Sequence, residues 1–183
     1  MIPTSKFVQI PDPILFQKHP NIPEEILSHR VELFELMQKM DKMAREDGYC
    51  AGLAAPQVGS PQRLFLLSPS RETQFFLNPT YTQVEVKIST DASTGALKHT
   101  VQRSNQLEGC KSVDHGHRRV PVLRWTHIIA EAIQVTRWHS LKKMRFEPYK
   151  KHLINFEARV WQHETDHLDG IVLGGADLRT SAD

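Results

Sequence analysis

The sequence predicts an α+β fold: a long N-terminal amphipathic helix, several mostly antiparallel strands, and a C-terminal helix. Three observations point there. Apolar residues recur at intervals of three and four between Pro23 and Asp47, short β-branched or aromatic runs recur between 63 and 135, and a second helical pattern runs up to Gly170. With 183 residues, 39% hydrophobic and 24% charged, the whole of 1–183 is read as a single domain. It lacks an apolar run of membrane-spanning length, so no membrane partner is expected. The 23 basic and 21 acidic side chains leave a formal charge of +2, too small a surplus to mark a nucleic-acid footprint.

The opening Pro11-Asp12-Pro13-Ile14-Leu15 is extended and proline-bound. The first helix is expected from about Pro23 to Asp47. Ile26, Leu33, Leu36, Met37, Met40 and Ala44 form its apolar stripe, Glu24 and Glu25 stand in its first turn, and Gly48 is its stop. A tight small-residue segment, Gly52–Gly59, follows. Strands are expected at Arg63–Ser68, Gln74–Leu77, Thr82–Ser89, Val120–Trp125 and Ile128–Val135. The polar stretch Thr90–Asn105 reads as a loop, and the basic stretch Trp138–His152 as irregular. The last helix runs from about Phe156 to Leu168, with Gly170 able to take a left-handed cap.

Two cysteines, Cys50 and Cys110, cannot form a disulfide framework. The first residues show neither an apolar targeting core nor an arginine-rich amphipathic stretch. A cytoplasmic location is therefore expected, although a trimmed organellar form would look the same.

The closing helix carries His163-Glu164-Thr165-Asp166-His167, an HExxH motif. Histidines four apart stand about 6 Å apart along one helix face. Both imidazoles can reach one divalent cation while Glu164 points at a water beside it. The alternative is a surface helix that holds these residues by coincidence. A third ligand is poorly supplied downstream, where only Asp169, Asp177 and Asp183 are acidic and no histidine follows His167. Upstream, Glu108-Gly109-Cys110-Lys111-Ser112 offers Cys110, whose thiolate suits a borderline metal. A buried inert thiol is the competing reading for Cys110, and Cys50 is the weaker candidate.

Three motifs taken together resemble the peptide deformylase family: Gly52-Leu53-Ala54-Ala55-Pro56-Gln57, Glu108-Gly109-Cys110-Lys111-Ser112, and Gln162-His163-Glu164-Thr165-Asp166-His167-Leu168-Asp169-Gly170. They fall in the family's order, behind an opening that is similar to its usual start. The resemblance implies a metallohydrolase that removes the N-formyl group from the formyl-methionyl end of nascent polypeptides and releases formate. It implies ligation of one divalent ion by Cys110, His163 and His167, with Fe2+ as the native metal and Zn2+, Ni2+ or Co2+ as substitutes. Glu164 would be the general base, and the Gln57 side chain and Lys111 backbone N–H would bind the oxyanion. Gly52 would lie against substrate backbone. Phe156 and Val160, on the helix face of His163, would wall the methionine slot or simply pack in the core.

Departures from the family pattern mark a divergent member. Cys50 and Asn155 stand where glycine is usual, and Lys111 where leucine is usual; asparagine is the next-best residue for left-handed backbone. The stretches near 90–105 and 138–152 are longer than usual. The basic residues between His139 and Lys151 suit either a transient ribosome contact or a solvated loop. Two alternatives to deformylation stay open: a peptidase or amidase using the same motif, and a degenerate, non-catalytic binder.

Overall fold

The structure, a computed structural model, describes residues 7–25, 30–48, 50–90, 93–95 and 97–173, with residues 70, 87–90 and 97–101 described by backbone alone. Helix α1 spans Arg30–Glu46, and its Leu33, Met37, Met40 and Ala44 are buried along one stripe. Glu24 and Glu25 are helical as well, whereas Ile26 lies outside the described residues. Among the described residues nine strands follow: β1 (Gly52–Ala54), β2 (Leu64–Leu67), β3 (Gln74–Gln83), β4 (Glu85–Thr90), β5 (Leu97–Val101), β6 (Arg103–Gly109), β7 (Arg119–Trp125), β8 (His127–Thr136) and β9 (Arg145–Ile154). Helix α2, Asn155–Leu168, comes last.

Five strands form one antiparallel sheet in the order β1-β2-β3-β8-β9, and β4·β5 and β6·β7 are separate two-stranded ribbons. The central strands are covered on both faces, which explains why β2 reads as a continuous apolar run rather than an alternating one. Leu64 and Leu66 of β2, with Phe75 and Leu77 of β3, pack in the layer of α1. Phe65 and Phe76 point the other way, against Ala158 and Trp161 of α2. The Trp161 indole meets Phe65 edge-on at 5.0 Å between ring centres and donates its N–H to the Thr80 carbonyl at 3.1 Å.

Two stretches differ from the sequence expectation. Thr90–Asn105, expected as a loop, contributes β5 and the start of β6; residues 91, 92 and 96 within it lie outside the described residues. Trp138–His152, expected as irregular, supplies most of β9, paired with β8 from Arg145 to Ile154. Both are strands at a margin of the fold. Leu153 alone is buried on β9, so no apolar alternation advertises it. The expected strand Thr82–Ser89 is broken at Val84, where β3 leaves the main sheet and β4 begins the ribbon.

The ends of α2 are fixed by chemistry that bears on the site. Asn155 opens the helix at φ +49°, the left-handed region asparagine tolerates better than most residues. At the other end Gly170, at φ +74°, completes a Schellman cap: Ile171 N–H donates to Asp166 C=O at 2.8 Å and Gly170 N–H to His167 C=O at 3.4 Å. Buried Arg63 donates to the Leu168 carbonyl at 3.1 Å and pairs with Asp169 at 2.8 Å, which locks the helix terminus to the start of β2.

Candidate functional site

Strand β6 ends at Gly109 and delivers Cys110 beneath α2, whose His163 and His167 stand one turn apart on the face turned toward it. The three ligand atoms all lie within 4.8 Å of one another. Cys110 Sγ is 3.3 Å from His167 Nε2, and the two imidazole rings meet edge-on with centres 5.0 Å apart. Cys110 and His167 are buried, and His163 is half-buried at the cleft wall. Of the downstream acidic residues, Asp169 is taken by Arg63, and Asp177 and Asp183 lie outside the described residues.

Burial alone would push the Cys110 thiol up, but His167 and His163 outweigh it and hold its pKa down to about 5, so the sulfur is a thiolate at neutral pH. A thiolate with two imidazoles, convergent and with Cys110 and His167 buried, is a fitting donor set for a borderline divalent cation. Glu164 adds a second sign of fit. Its Oε2 is buried and, among the described residues, has no hydrogen-bond partner, as a carboxylate facing a coordinated water would be. Burial raises the Glu164 pKa to about 6, a range suited to taking and returning a proton near neutrality.

The sequence did not single out Glu108 and the two arginines that hold it. His163 Nδ1 lies 2.9 Å from Glu108 Oε2, so an N–H donated there leaves Nε2 as the ligating nitrogen. Glu108 in turn receives Arg124 through both oxygens, at 3.1 and 3.0 Å, and Arg159 at its Oε1. Burial would raise the Glu108 pKa; His163 and Arg124 prevail and lower it to about 2. Arg124 also pairs with Asp166 on α2. One buried carboxylate thereby ties β6, β7 and α2 around the histidine. Arg159 stands four residues before His163, on the same face of α2.

Gln57 is buried on the short 3-10 turn Ala55–Val58. Its Oε1 accepts from Ala54 N–H at 2.9 Å, which fixes the amide so that Nε2 faces Cys110 Sγ at 3.5 Å and Ser112 Oγ at 3.3 Å. Gly52 on β1 has a reason to be glycine that sequence reading missed. A Cβ there would stand 2.7 Å from both Cγ and Cδ of Glu164. Gln162 clips α2 to the end of β7, accepting from Trp125 N–H at 3.1 Å and donating to its carbonyl at 2.8 Å.

These groups surround a cleft of about 360 Å³ between the β1 edge, β6 and α2. Phe156, 66% exposed, and half-buried Val160 line it together with Leu107, Gly52 and Gln57. Phe156 is thus a wall residue and not core; its exposure follows from its place on the first turn of α2. Lys111 sits at the rim with its ammonium 2.6 Å from Asp47, and its carbonyl accepts from Gln9 at 2.7 Å. Cys50 also lines the cleft, but burial and the carboxylates of Glu164 and Asp47 raise its thiol to about 12, and it stands outside the Cys110–His163–His167 cluster.

Comparison with known proteins places the chain in a family. The family model for polypeptide deformylase matches residues 4–175. "Peptide deformylase 1A, chloroplastic/mitochondrial" from Arabidopsis thaliana is 31% identical over 165 residues, covering 87% of this chain and 56% of the relative. A peptide deformylase from Desulforudis audaxviator is 30% identical over 169 residues, covering 91% of this chain and 89% of the relative. Among solved structures, a probable peptide deformylase from Synechococcus phage S-SSM7 superposes with a TM-score of 0.66 at 27% identity, covering 92% and 97% of the two chains. The chain belongs to the peptide deformylase family. It spans little more than half the length of the plant relatives it matches. Among the described residues, no helix is long and apolar enough to cross a membrane.

Proposed function

We propose that this chain hydrolyses the formyl amide of N-formyl-methionyl peptides, releasing formate and a free α-amine. The observation that supports it most is the convergence of Cys110, His163 and His167 beside the unpartnered Glu164 oxygen, with Cys110, His163 and Glu164 lining an open cleft. The three ligands would hold one divalent ion, Fe2+ by family resemblance, with Zn2+, Ni2+ or Co2+ compatible with the same thiolate–imidazole set. Such an ion supplies Lewis acidity, which makes water a nucleophile near neutral pH.

The protein's own groups do the rest. Glu164 accepts the proton of the attacking water and returns it to the departing amine, a shuttle for which its raised pKa suits it. The Gln57 amide and the Lys111 backbone N–H donate to the formyl oxygen as charge develops there; one such donor is worth about 3 kcal/mol in the transition state. Glu108 fixes the His163 ring and tautomer. Gly52 lies on β1, the edge strand of the main sheet, so an extended peptide has backbone groups to pair with along the cleft. Phe156 and Val160 form the apolar wall for the methionine side chain.

Such substrates place the enzyme in the cytoplasm, or in an organelle with its own translation. On the basic stretch, Lys150 is paired with Glu131 and Lys151 with Glu157, so these lysines read as solvated surface rather than as a grip on ribosomal RNA. The test is formate release from formyl-Met-Ala-Ser by metal-loaded protein, beside the acetylated and unmodified peptides. Turnover of the formyl peptide alone supports the reading. Cleavage of the acetyl or peptide bond would make it an amidase or peptidase, and bound metal without turnover a non-catalytic binder.

A further inference from the structure

Apart from Glu164 at the reaction centre, one charge among the described residues that line the cleft is unmatched. Glu108 is shared by Arg124, Arg159 and His163, and Lys111 is paired with Asp47. Glu164 is the acid at the reaction centre. Arg119 is different: it is exposed at the cleft wall, and among the described residues its guanidinium has no hydrogen-bond or ion-pair partner.

Its position is built into the ribbon. Arg119 is the register partner of Gly109, the residue that precedes Cys110. The guanidinium crowds that glycine; a Cβ at 109 would stand 2.9 Å from Nε and 3.0 Å from Cζ. The absence of a side chain at 109 therefore lets a planar cation rest on backbone beside Cys110, at the wall of the cleft. A planar fork of N–H donors without a partner, held on backbone beside a peptide-sized groove, is suited to a carboxylate.

We propose that Arg119 is a specificity-determining residue that favours formyl peptides with an acidic side chain in the one or two residues after methionine. This deepens, and rests on, the deformylase reading above. A formyl-methionyl chain whose formyl carbon lies beside Glu164 must run its next residues out through the cleft. An aspartate or glutamate there meets a ready-placed guanidinium, whereas a lysine meets like charge.

The test compares kcat/KM of metal-loaded protein for formyl-Met-Ala-Ser derivatives in which Ala or Ser is replaced by Glu or by Lys. At low salt the Glu peptide of at least one pair should exceed its Lys counterpart by about three- to tenfold, the scale of a partly exposed ion pair. Arg119→Gln should bring that ratio to within about twofold and Arg119→Glu should invert it, while Arg118→Gln, outside the cleft lining, should leave it in place. High salt should compress the wild-type ratio. Equal efficiency for both charges, a preference that survives Arg119→Gln, or equal loss in Arg118→Gln would overturn the assignment. Formate release from no peptide at all is a separate result: it would bring down the deformylase reading, and this one with it.

Discussion

A single methyl group at Gly52 should disable the proposed deformylation without unfolding the chain. The β1 backbone at Gly52 is not left-handed, so alanine costs nothing in conformation there. The cost is contact: the new Cβ would stand 2.7 Å from Glu164 Cγ and Cδ, about 1 Å inside ordinary carbon–carbon separation. Because Glu164 is buried, its carboxylate must move by roughly that amount, and a 1 Å misplacement of a reacting group costs about 10²-fold in rate, or roughly 2.7 kcal/mol. Gly52→Ala should therefore lose about two orders of magnitude in kcat on formyl-Met-Ala-Ser, with metal content and melting temperature close to wild type. In a Glu164→Ala background the same substitution should cost nothing further, because the group it displaces is gone. A Gly52→Ala enzyme with wild-type kcat, or a loss that persists undiminished in the Glu164→Ala background, would refute the idea that this glycine exists to seat the general base.

Cys50 should be a poor nucleophile in spite of its place in the cleft. With burial and the nearby carboxylates raising its pKa to about 12, the thiol is neutral at pH 8. Its thiolate fraction there is on the order of 10⁻⁴ and rises about tenfold per pH unit. Iodoacetamide labelling followed by mass spectrometry should show that dependence, and labelling at the rate of an exposed peptide thiol at pH 8 would contradict it. Gly170→Ala should destabilise the fold by about 1–3 kcal/mol, since it combines left-handed strain with a Cβ only 2.7 Å from the Phe16 carbonyl carbon. Denaturant melts check this, and an unchanged midpoint would show that the Schellman end of α2 is not under constraint. Glu108→Gln keeps the shape but removes the charge on which Arg124, Arg159 and His163 converge. It should weaken metal retention about 10- to 100-fold, measured by competition with a chelator.

How much of this was legible in the sequence follows from the range of each interaction. The HExxH pair could be read because its geometry is set within one helical turn. α1 could be read because Leu33, Met37, Met40 and Ala44 mark a single buried stripe. Cys110 was reached by elimination of other ligands and by family likeness. The Glu108–Arg124–Arg159 network was not readable, because its members lie 16 and 51 residues apart and meet only through the β6·β7 register and the docking of α2. β5, β6 and β9 were missed for a different reason. They lie in two-stranded ribbons or at the sheet edge, where few positions are buried and period-two hydrophobicity has no cause to appear. Gly52 was flagged, but its reason lies in a side chain 112 positions further on.

The central claim is that Cys110, His163 and His167 together retain one metal ion while Glu164 works beside it without holding it. Metal analysis of anaerobically purified wild type, Cys110→Ala and Glu164→Ala, each checked for fold by circular dichroism, tests that directly. About one divalent ion per chain in wild type and in Glu164→Ala, with near-complete loss in folded Cys110→Ala, is the expected pattern. Full metal occupancy in folded Cys110→Ala would contradict it.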